Sequence, residues 1–252
     1  MKLLITAPGG KMGRLLVREA QKRPEDFTLV GAVGNPRGDS IGKDISAAAG
    51  GPPVGALIYA GLEEILPACD GVIDFSTVDR SMEVAAACVA HGKPLLVGTT
   101  GFSPEQEALL AQAGETIPLS VSHNTSKAVN LLYQLLDLTA RALGPAADID
   151  IVDMHDNQKL DSPSGTAKVM GRTISQALTQ TGAGKEVTYH SIRSGNLPST
   201  HTVIFGLEGE RIELTHHAYD YTTFAKGALD GILFLKDQAP GCYSSEEILG
   251  LV

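Results

Sequence analysis

The apolar positions of this chain keep one rhythm for about its first half and then change to another. Residues 2–6 (KLLIT) form a short apolar run closed by proline and glycine, which predicts a buried parallel strand. Apolar side chains then recur at 12, 15, 16, 17 and 20, the spacing of a helix, and a second strand is predicted at 27–33. Strand, helix and strand in this order make a βαβ unit. The alternation continues with strands at 71–75, 94–97 and 118–121 and helices at 81–90 and 104–113. Such alternation predicts an α/β domain of the Rossmann type, a doubly wound parallel sheet with helices on both faces.

Beyond about residue 126 the rhythm shifts. A long helix is predicted at 128–143, a strand at 148–154, and a helix at 163–178 with a proline in its first turn. Strand-like segments at 186–192, 200–205 and 211–217 follow without intervening helices, so a mostly antiparallel sheet is expected, hence an inserted α+β domain. A last helix at 222–235 is expected to return to the first domain. The predicted division is 1–126 with about 221–252, and 127–220.

Composition narrows the function classes. The chain has 252 residues, 43% hydrophobic and 19% charged, enough for a real core and too apolar for disorder. A formal net charge of −9 argues against a nucleic-acid partner, although a few cations in one cleft can still hold an anionic small molecule. Cys69, Cys88 and Cys242 are widely spaced and read as reduced thiols. With no secretory signal and no membrane-length apolar run, the expectation is a soluble, cytoplasmic protein.

The turn Ala7-Pro8-Gly9-Gly10-Lys11-Met12-Gly13 lies between the first strand and the first helix. Glycines at 9, 10 and 13 let the backbone approach a pyrophosphate, whose charge the helix N-terminus favours. Ala7 stands where a G-x-x-G-x-x-G version would have its first glycine. The segment after the second strand carries Arg37 and no carboxylate, so the cofactor leans towards NADPH over NADH, with Lys11 and Arg14 as further phosphate partners.

The segment from Asp153 to Ala167 carries the substrate chemistry. Backbone amides of Ser164, Gly165 and Thr166 fall in a helix first turn suited to a carboxylate. Lys159 and His155 offer protons close by. Asp74 and Asp79 read as caps of the helix that follows them. His201 reads as structural or substrate-flanking, and Arg193 as either a carboxylate partner or a sheet-surface residue. His216 and His217 point to opposite faces of a strand, and no metal site is expected.

These residues bring a family into view. The chain resembles the 4-hydroxy-tetrahydrodipicolinate reductases (dihydrodipicolinate reductases) of lysine and diaminopimelate biosynthesis. The likeness is carried by GGKMGR at the opening turn, Asp74-Phe75-Ser76, Gly98-Thr99-Thr100-Gly101-Phe102, and Asn124-Thr125-Ser126 with Asn130. It continues through the HDNQKLDSPSGTA run, Arg193-Ser194-Gly195 and Phe224-Ala225-Lys226-Gly227-Ala228. The resemblance implies a dinucleotide-binding domain and a substrate domain whose sheet assembles a homotetramer. It implies hydride transfer from NAD(P)H to a cyclic imine dicarboxylate. By position it puts Gly98 and Thr100, with Phe75 and Thr99, at the nicotinamide, and Asn124, Thr125 and Ser126 at its ribose and carboxamide. His155 and Lys159 fall on the proton-donor pair, and Ser164, Gly165 and Thr166 on the carboxylate-binding turn.

Three positions depart from the family. Its second adjacent histidine, assigned to substrate binding, is Asp156 here; a common arginine before the last helix is Tyr221; and Ala7 replaces glycine. Three readings stay open: an ordinary member with compensating contacts from His216, His217 or Lys226, a divergent reductase of another cyclic imine or smaller acid, or a cofactor-binding module without turnover.

Overall fold

The structure, a computed structural model, describes residues 1–250. Its elements run β1 (Lys2–Thr6), α1 (Lys11–Gln21), β2 (Thr28–Val33), α2 (Ser46–Ala49), β3 (Leu57–Tyr59), β4 (Gly71–Asp74) and α3 (Val78–His91). They continue with β5 (Leu95–Val97), α4 (Pro104–Gly114), β6 (Pro118–Val121), α5 (Lys127–Leu143), β7 (Asp148–His155) and α6 (Gly165–Gln180). The chain ends through β8 (Val187–Arg193), β9 (Ser199–Leu207), β10 (Glu210–Ala218), α7 (Thr222–Lys236), β11 (Gly241–Cys242) and α8 (Ser245–Ile248). The chain divides into two compact units, Met1–Lys127 with the segment from Tyr221 onward, and Ala128–Asp220.

The first unit is built on a sheet of order β11-β6-β5-β4-β1-β2-β3 in which every pairing is parallel. Successive side chains of a strand point to opposite faces, so Leu3 and Ile5 of β1 enter one core while Leu4 enters the other. The first core is closed by Leu16, Val17 and Ala20 of α1 and by Ala228, Leu229 and Ile232 of α7. The second is closed by Val84 and Cys88 of α3 and Leu110 of α4. Each fully buried aliphatic side chain stabilises by roughly 1.5–3 kcal/mol. Strand order reverses between β1 and β4, and that switch point, at the carboxyl ends of the strands, is where open α/β sheets bind ligands.

The second unit has a sheet of order β10-β9-β7-β8. Helices α5 and α6 cover one face, packing Leu132, Leu136, Met170 and Ile174 on Ile149, Ile151, Val203 and Phe205. The sheet is mixed: β10–β9 and β9–β7 are antiparallel, whereas β7–β8 is parallel because α6 provides the crossover between them.

Several local expectations change. Helix α6 starts at Gly165, with Ser164 as its N-cap accepting the Ala167 amide at 3.1 Å, so Pro163 precedes the helix instead of opening it. Helix α3 starts at Val78, earlier than the apolar pattern shows. Elements α2 and β3, in a stretch dense with glycine and proline, carry no readable period. They are organised by Asp44, whose carboxylate accepts amides of Ser46, Val54 and Gly55 at 2.7–3.2 Å. Those donors, the Val54 amide foremost, hold the Asp44 carboxyl far below the usual range.

Candidate active site

In the first unit a recess of about 600 Å³ opens at the ends of β1, β2 and β4, lined by Thr6, Ala7, Gly10, Asn35, Thr77 and Arg80 among others. Gly10 is the N-cap of α1 and offers no capping side chain, so the first-turn amides are left for a ligand or water. A Cβ at Gly13 would run into the Ala7 carbonyl, so the turn can close this tightly only with glycine there. Ala7 has a φ of 47°, the only non-glycine residue at positive φ among the described residues. That conformation is the left-handed one in which glycine is strain-free.

Arg80 reaches the recess from α3. Its Nη1 meets Glu83 at 2.5 Å, while Nη2 is buried without a hydrogen-bond partner. Asp79 and Glu83 line the same recess. Arg37 is exposed and does not line it; its amide donates to Asn35 Oδ1 at 3.0 Å. On the outer side of the turn, Lys11, Arg14 and Arg18 gather around a second hollow of about 550 Å³ with Tyr221. Lys11 Nζ lies 3.2 Å from the centre of the Tyr221 ring, a cation–π contact. Arg14 Nε donates to the Gly9 carbonyl at 2.9 Å, bracing the turn. Met12 packs on the core beneath.

The glycine cradle, the uncapped helix and the unpartnered guanidinium nitrogen suit the phosphates and polar adenosine of a dinucleotide. Further along the same strand ends, Gly98 is required because a Cβ there would collide with the Phe75 ring. Thr99 spends its hydroxyl on Asp74 at 3.2 Å, and Thr125 donates to the Phe224 carbonyl at 2.7 Å. Asn124 Oδ1 accepts the Ser126 amide at 2.9 Å, Ser126 is fully buried, and Thr100 is exposed. Asp74 does not cap α3, whose N-cap is Thr77. Fully buried, it collects the hydroxyls of Thr6, Ser76, Ser81 and Thr99, tying the ends of β1 and β4, the first turn of α3 and the residue chain after β5 together.

In the second unit the chemistry gathers at the end of β7. His155 Nδ1 lies 2.7 Å from Asp153 Oδ1, and its Nε2 lies 2.8 Å from Ser199 Oγ. The ring N–H is not aimed squarely at the carboxylate oxygen, so the contact is a close ion pair rather than an aligned hydrogen bond. Burial pushes the His155 pKa down, Asp153 opposes this, and Lys159 and Arg193 push it down further. His201 sits edge-on to His155 with centroids 5.2 Å apart, and burial brings its pKa down to about 4. Burial alone would raise the Asp153 carboxyl, yet Arg193, the Ser164 amide and the two imidazoles together lower it.

Lys159 pairs with Asp161 at 2.8 Å and not with Asp156. Asp156 accepts the Gln158 amide at 2.8 Å and so shapes the turn that presents Lys159. The Ser164 amide is already given to Asp153 Oδ2 at 2.8 Å, and its hydroxyl faces His201 Nε2 at 2.9 Å. Gly165 is exposed and Thr166 half-buried in the first turn of α6. His217 Nδ1 contacts Thr200 Oγ1 at 3.0 Å, His216 is half-buried, and Lys226 is exposed.

Sequence reasoning left unassigned Arg80 in the first unit and Asp153 and Ser199 in the second, and read His201 as structural or substrate-flanking. Asp153 carried a readable signal, since residues two apart on a strand share a face and it stands two before His155. Ser199 and His201 join only through the β7–β9 register, which pairs Asp153 with His201. Asp153, His155 and His201 hold potential metal-ligand atoms within 4.8 Å of one another. Arg193, 2.8 Å from Asp153, already supplies that carboxylate with a countercharge.

Comparison with known proteins gives a consistent result. Residues 1–125 match the family model of the dihydrodipicolinate reductase N-terminus, and residues 128–249 that of its C-terminus. A 4-hydroxy-tetrahydrodipicolinate reductase of Pseudomonas fluorescens is 38% identical, with 99% of each chain covered. One from Anaeromyxobacter dehalogenans is 36% identical, covering 99% of this chain and 98% of the other. A dipicolinate-bound dihydrodipicolinate reductase from Paenisporosarcina sp. TG-14 superposes with a TM-score of 0.78 at 25% identity, over 96% of this chain and 97% of that one. An amine dehydrogenase from Mycobacterium smegmatis, at 12% identity and a TM-score of 0.69, shares the fold.

Proposed function

The chain belongs to the dihydrodipicolinate reductase family, and on that premise we propose that it reduces 4-hydroxy-tetrahydrodipicolinate to tetrahydrodipicolinate with a nicotinamide dinucleotide, a step of lysine and diaminopimelate biosynthesis. The observation that carries this reading is the meeting of His155 and the α6 N-terminus on one buried carboxylate, to which Arg193 joins the Asp161 carbonyl of the Lys159 turn. The bound cofactor supplies the hydride. Gly9, Gly10 and Gly13 leave room for its pyrophosphate at the α1 N-terminus, with Lys11 and Arg14 adding positive charge. Phe75, Gly98, Thr99, Thr100, Asn124, Thr125 and Ser126 form the segments assigned to its nicotinamide end.

The residues of the second unit would do three things. The first turn of α6, at Gly165 and Thr166, and the Lys159 ammonium would hold a substrate carboxylate. His155 or Lys159 would give the proton that neutralises the charge left by hydride addition, general acid catalysis contributing on the order of 10²–10⁴-fold. Asp156 would keep the turn in shape rather than replace a histidine's contact.

NADPH is placed ahead of NADH, because β2 is followed by Gly34 and Asn35 without a carboxylate for a ribose diol, and Arg80 Nη2 lacks a partner. Arg37 supports this less than its position in the chain implies, since it lies outside the recess. Among the described residues no helix is long and apolar enough to cross a membrane; a cytoplasmic location is our reading. Self-assembly, a tetramer by family, is assigned to the open face of the second sheet. There Val152 and Met154 of β7 stand beside Ile192 and Ile204, opposite the face covered by α5 and α6. A monomeric mass in sedimentation would exclude that assembly.

The test is spectrophotometric. Wild-type protein should oxidise NADPH, and NADH with higher KM, when given freshly generated cyclic imine dicarboxylate. Lys159→Ala should lower kcat on the order of 10²-fold or more while cofactor affinity stays the same. Absence of oxidation of either cofactor would overturn the proposed reaction, leaving the divergent-substrate and binding-module readings.

A further inference from the structure

We propose that Asp153 is the positioning residue of the proton-donating centre, fixing which nitrogen of His155 carries the exchangeable proton and tying that ring to the N-cap of α6. This rests on the reading that His155 acts at the substrate.

The first support is the tautomer. A bare Nδ1 lone pair held 2.7 Å from a carboxylate oxygen would repel it, so His155 Nδ1 carries a hydrogen. Nε2 is then the nitrogen that gains and loses the proton. It faces Ser199 Oγ at 2.8 Å, a hydroxyl able to donate to the neutral ring and to accept from the imidazolium. Because the Asp153 contact is Coulombic more than directional, it strengthens when the ring is charged, which is the form an acid must hold.

The second support is the remainder of the carboxylate. Asp153 Oδ2 accepts the Ser164 amide and Arg193 Nη2, each at 2.8 Å. The same Nη2 donates to the Asp161 carbonyl at 2.7 Å, and the Asp161 carboxylate holds Lys159 at 2.8 Å. Ser164 in turn caps α6 and faces His201. One buried carboxylate therefore connects both proton donors and the helix start that is to hold the substrate.

The charged groups facing His155 are Asp153 on its own strand, Lys159 on the following turn, Arg193 on β8 and His201 on β9. Asp153 is the one among them that favours the imidazolium. Removing its charge leaves burial, Lys159 and Arg193 to act together, so the protonated donor is lost at lower pH.

The decisive variant is Asp153→Asn, which keeps the size of the side chain and an oxygen for the Ser164 amide. The alkaline fall in kcat/KM for imine reduction should move down by about one pH unit. Turnover at neutral pH should drop on the order of 10²-fold, with the KM for the nicotinamide cofactor unchanged. Proton–nitrogen NMR of the full chain, labelled at histidine, reads the tautomer and titration of His155 without substrate. The wild type should show a protonated Nδ1, and Asp153→Asn a lower titration midpoint with that preference lost. An unmoved pH limb, or an NMR titration and tautomer that do not change, would overturn the positioning role. A wild type that titrates as described yet reduces no imine would overturn the functional reading instead, so the two failures are told apart.

Discussion

Among the described residues two aspartates, one in each compact unit, are fully buried, and they are held in opposite ways. Asp74 in the first unit receives four hydroxyls, from Thr6, Ser76, Ser81 and Thr99. Asp153 in the second meets a guanidinium, a backbone amide and two imidazoles. Hydroxyls rotate and can either donate or accept, so a cage of them fixes the strand ends without adding any charge of its own. A cage of titratable and permanently charged groups fixes geometry and also sets which protons are mobile. On the proposed function, the first arrangement would serve as a scaffold beneath a nucleotide turn and the second as a centre that moves protons.

The largest effect should come from removing the cation in the second cage. Arg193→Leu would leave Asp153 buried without its guanidinium and would also vacate the carbonyls of Asp153 and Asp161. Breaking a buried ion pair on one side costs about 3–5 kcal/mol. Denaturant unfolding of the second unit should register this loss. A cost below about 1 kcal/mol would mean that Asp153 is not held as an anion, and the contrast between the cages would fall.

Acid should separate the units next. His155, His201 and His216, the histidines whose pKa is lowered by burial, all belong to the second unit. A histidine with a depressed folded pKa stays neutral in the fold while the unfolded chain takes up a proton, so stability falls as pH drops below the unfolded value. For His201 the window runs from 6.5 down to about 4. It is worth about 3 kcal/mol, at 1.36 kcal/mol per unit, and below that window both states are protonated. Asp153, with a lowered carboxyl pKa, adds a further loss only as pH falls through its folded value. Hydrogen exchange should show β9 opening before β1 and β4 as pH falls, and His201→Gln should delay it. Simultaneous opening of both units would refute the assignment.

What the sequence disclosed follows from the range of the forces involved. The β1–α1–β2 unit was readable because burial of Leu3, Leu4 and Ile5 on two faces and of Leu16, Val17 and Ala20 on one is written in local period. Elements α2 and β3 were not, because they form around the Asp44 carboxylate, which collects amides up to eleven residues away. His155, Lys159 and the α6 start were readable as a contiguous motif. Their connection was not, because Asp153 meets Arg193, Ser191 and His201 across strand pairings that no local spacing encodes. Likewise chain position drew attention to Arg37, which does not line the recess, while Arg80, which reaches it from α3, follows from no local spacing.

The smallest effect is also the sharpest test of the contrast. Asp74→Asn retains an acceptor oxygen and adds an amide that can donate, and the four surrounding hydroxyls can turn from donors into acceptors to meet it. No fixed charge is stranded. The cost should be about 1 kcal/mol, the worth of an ordinary hydrogen bond, with cofactor affinity nearly unchanged. Asp153→Asn strands the Arg193 charge and should cost about 2–3 kcal/mol, the range for hydrogen bonds to charged groups. Thermal unfolding of the two variants measured side by side would decide the matter. Equal costs would mean that Asp74 also depends on its full charge. The hydroxyl cage would then be an electrostatic device aimed at the nucleotide turn, rather than a neutral brace for the strand ends.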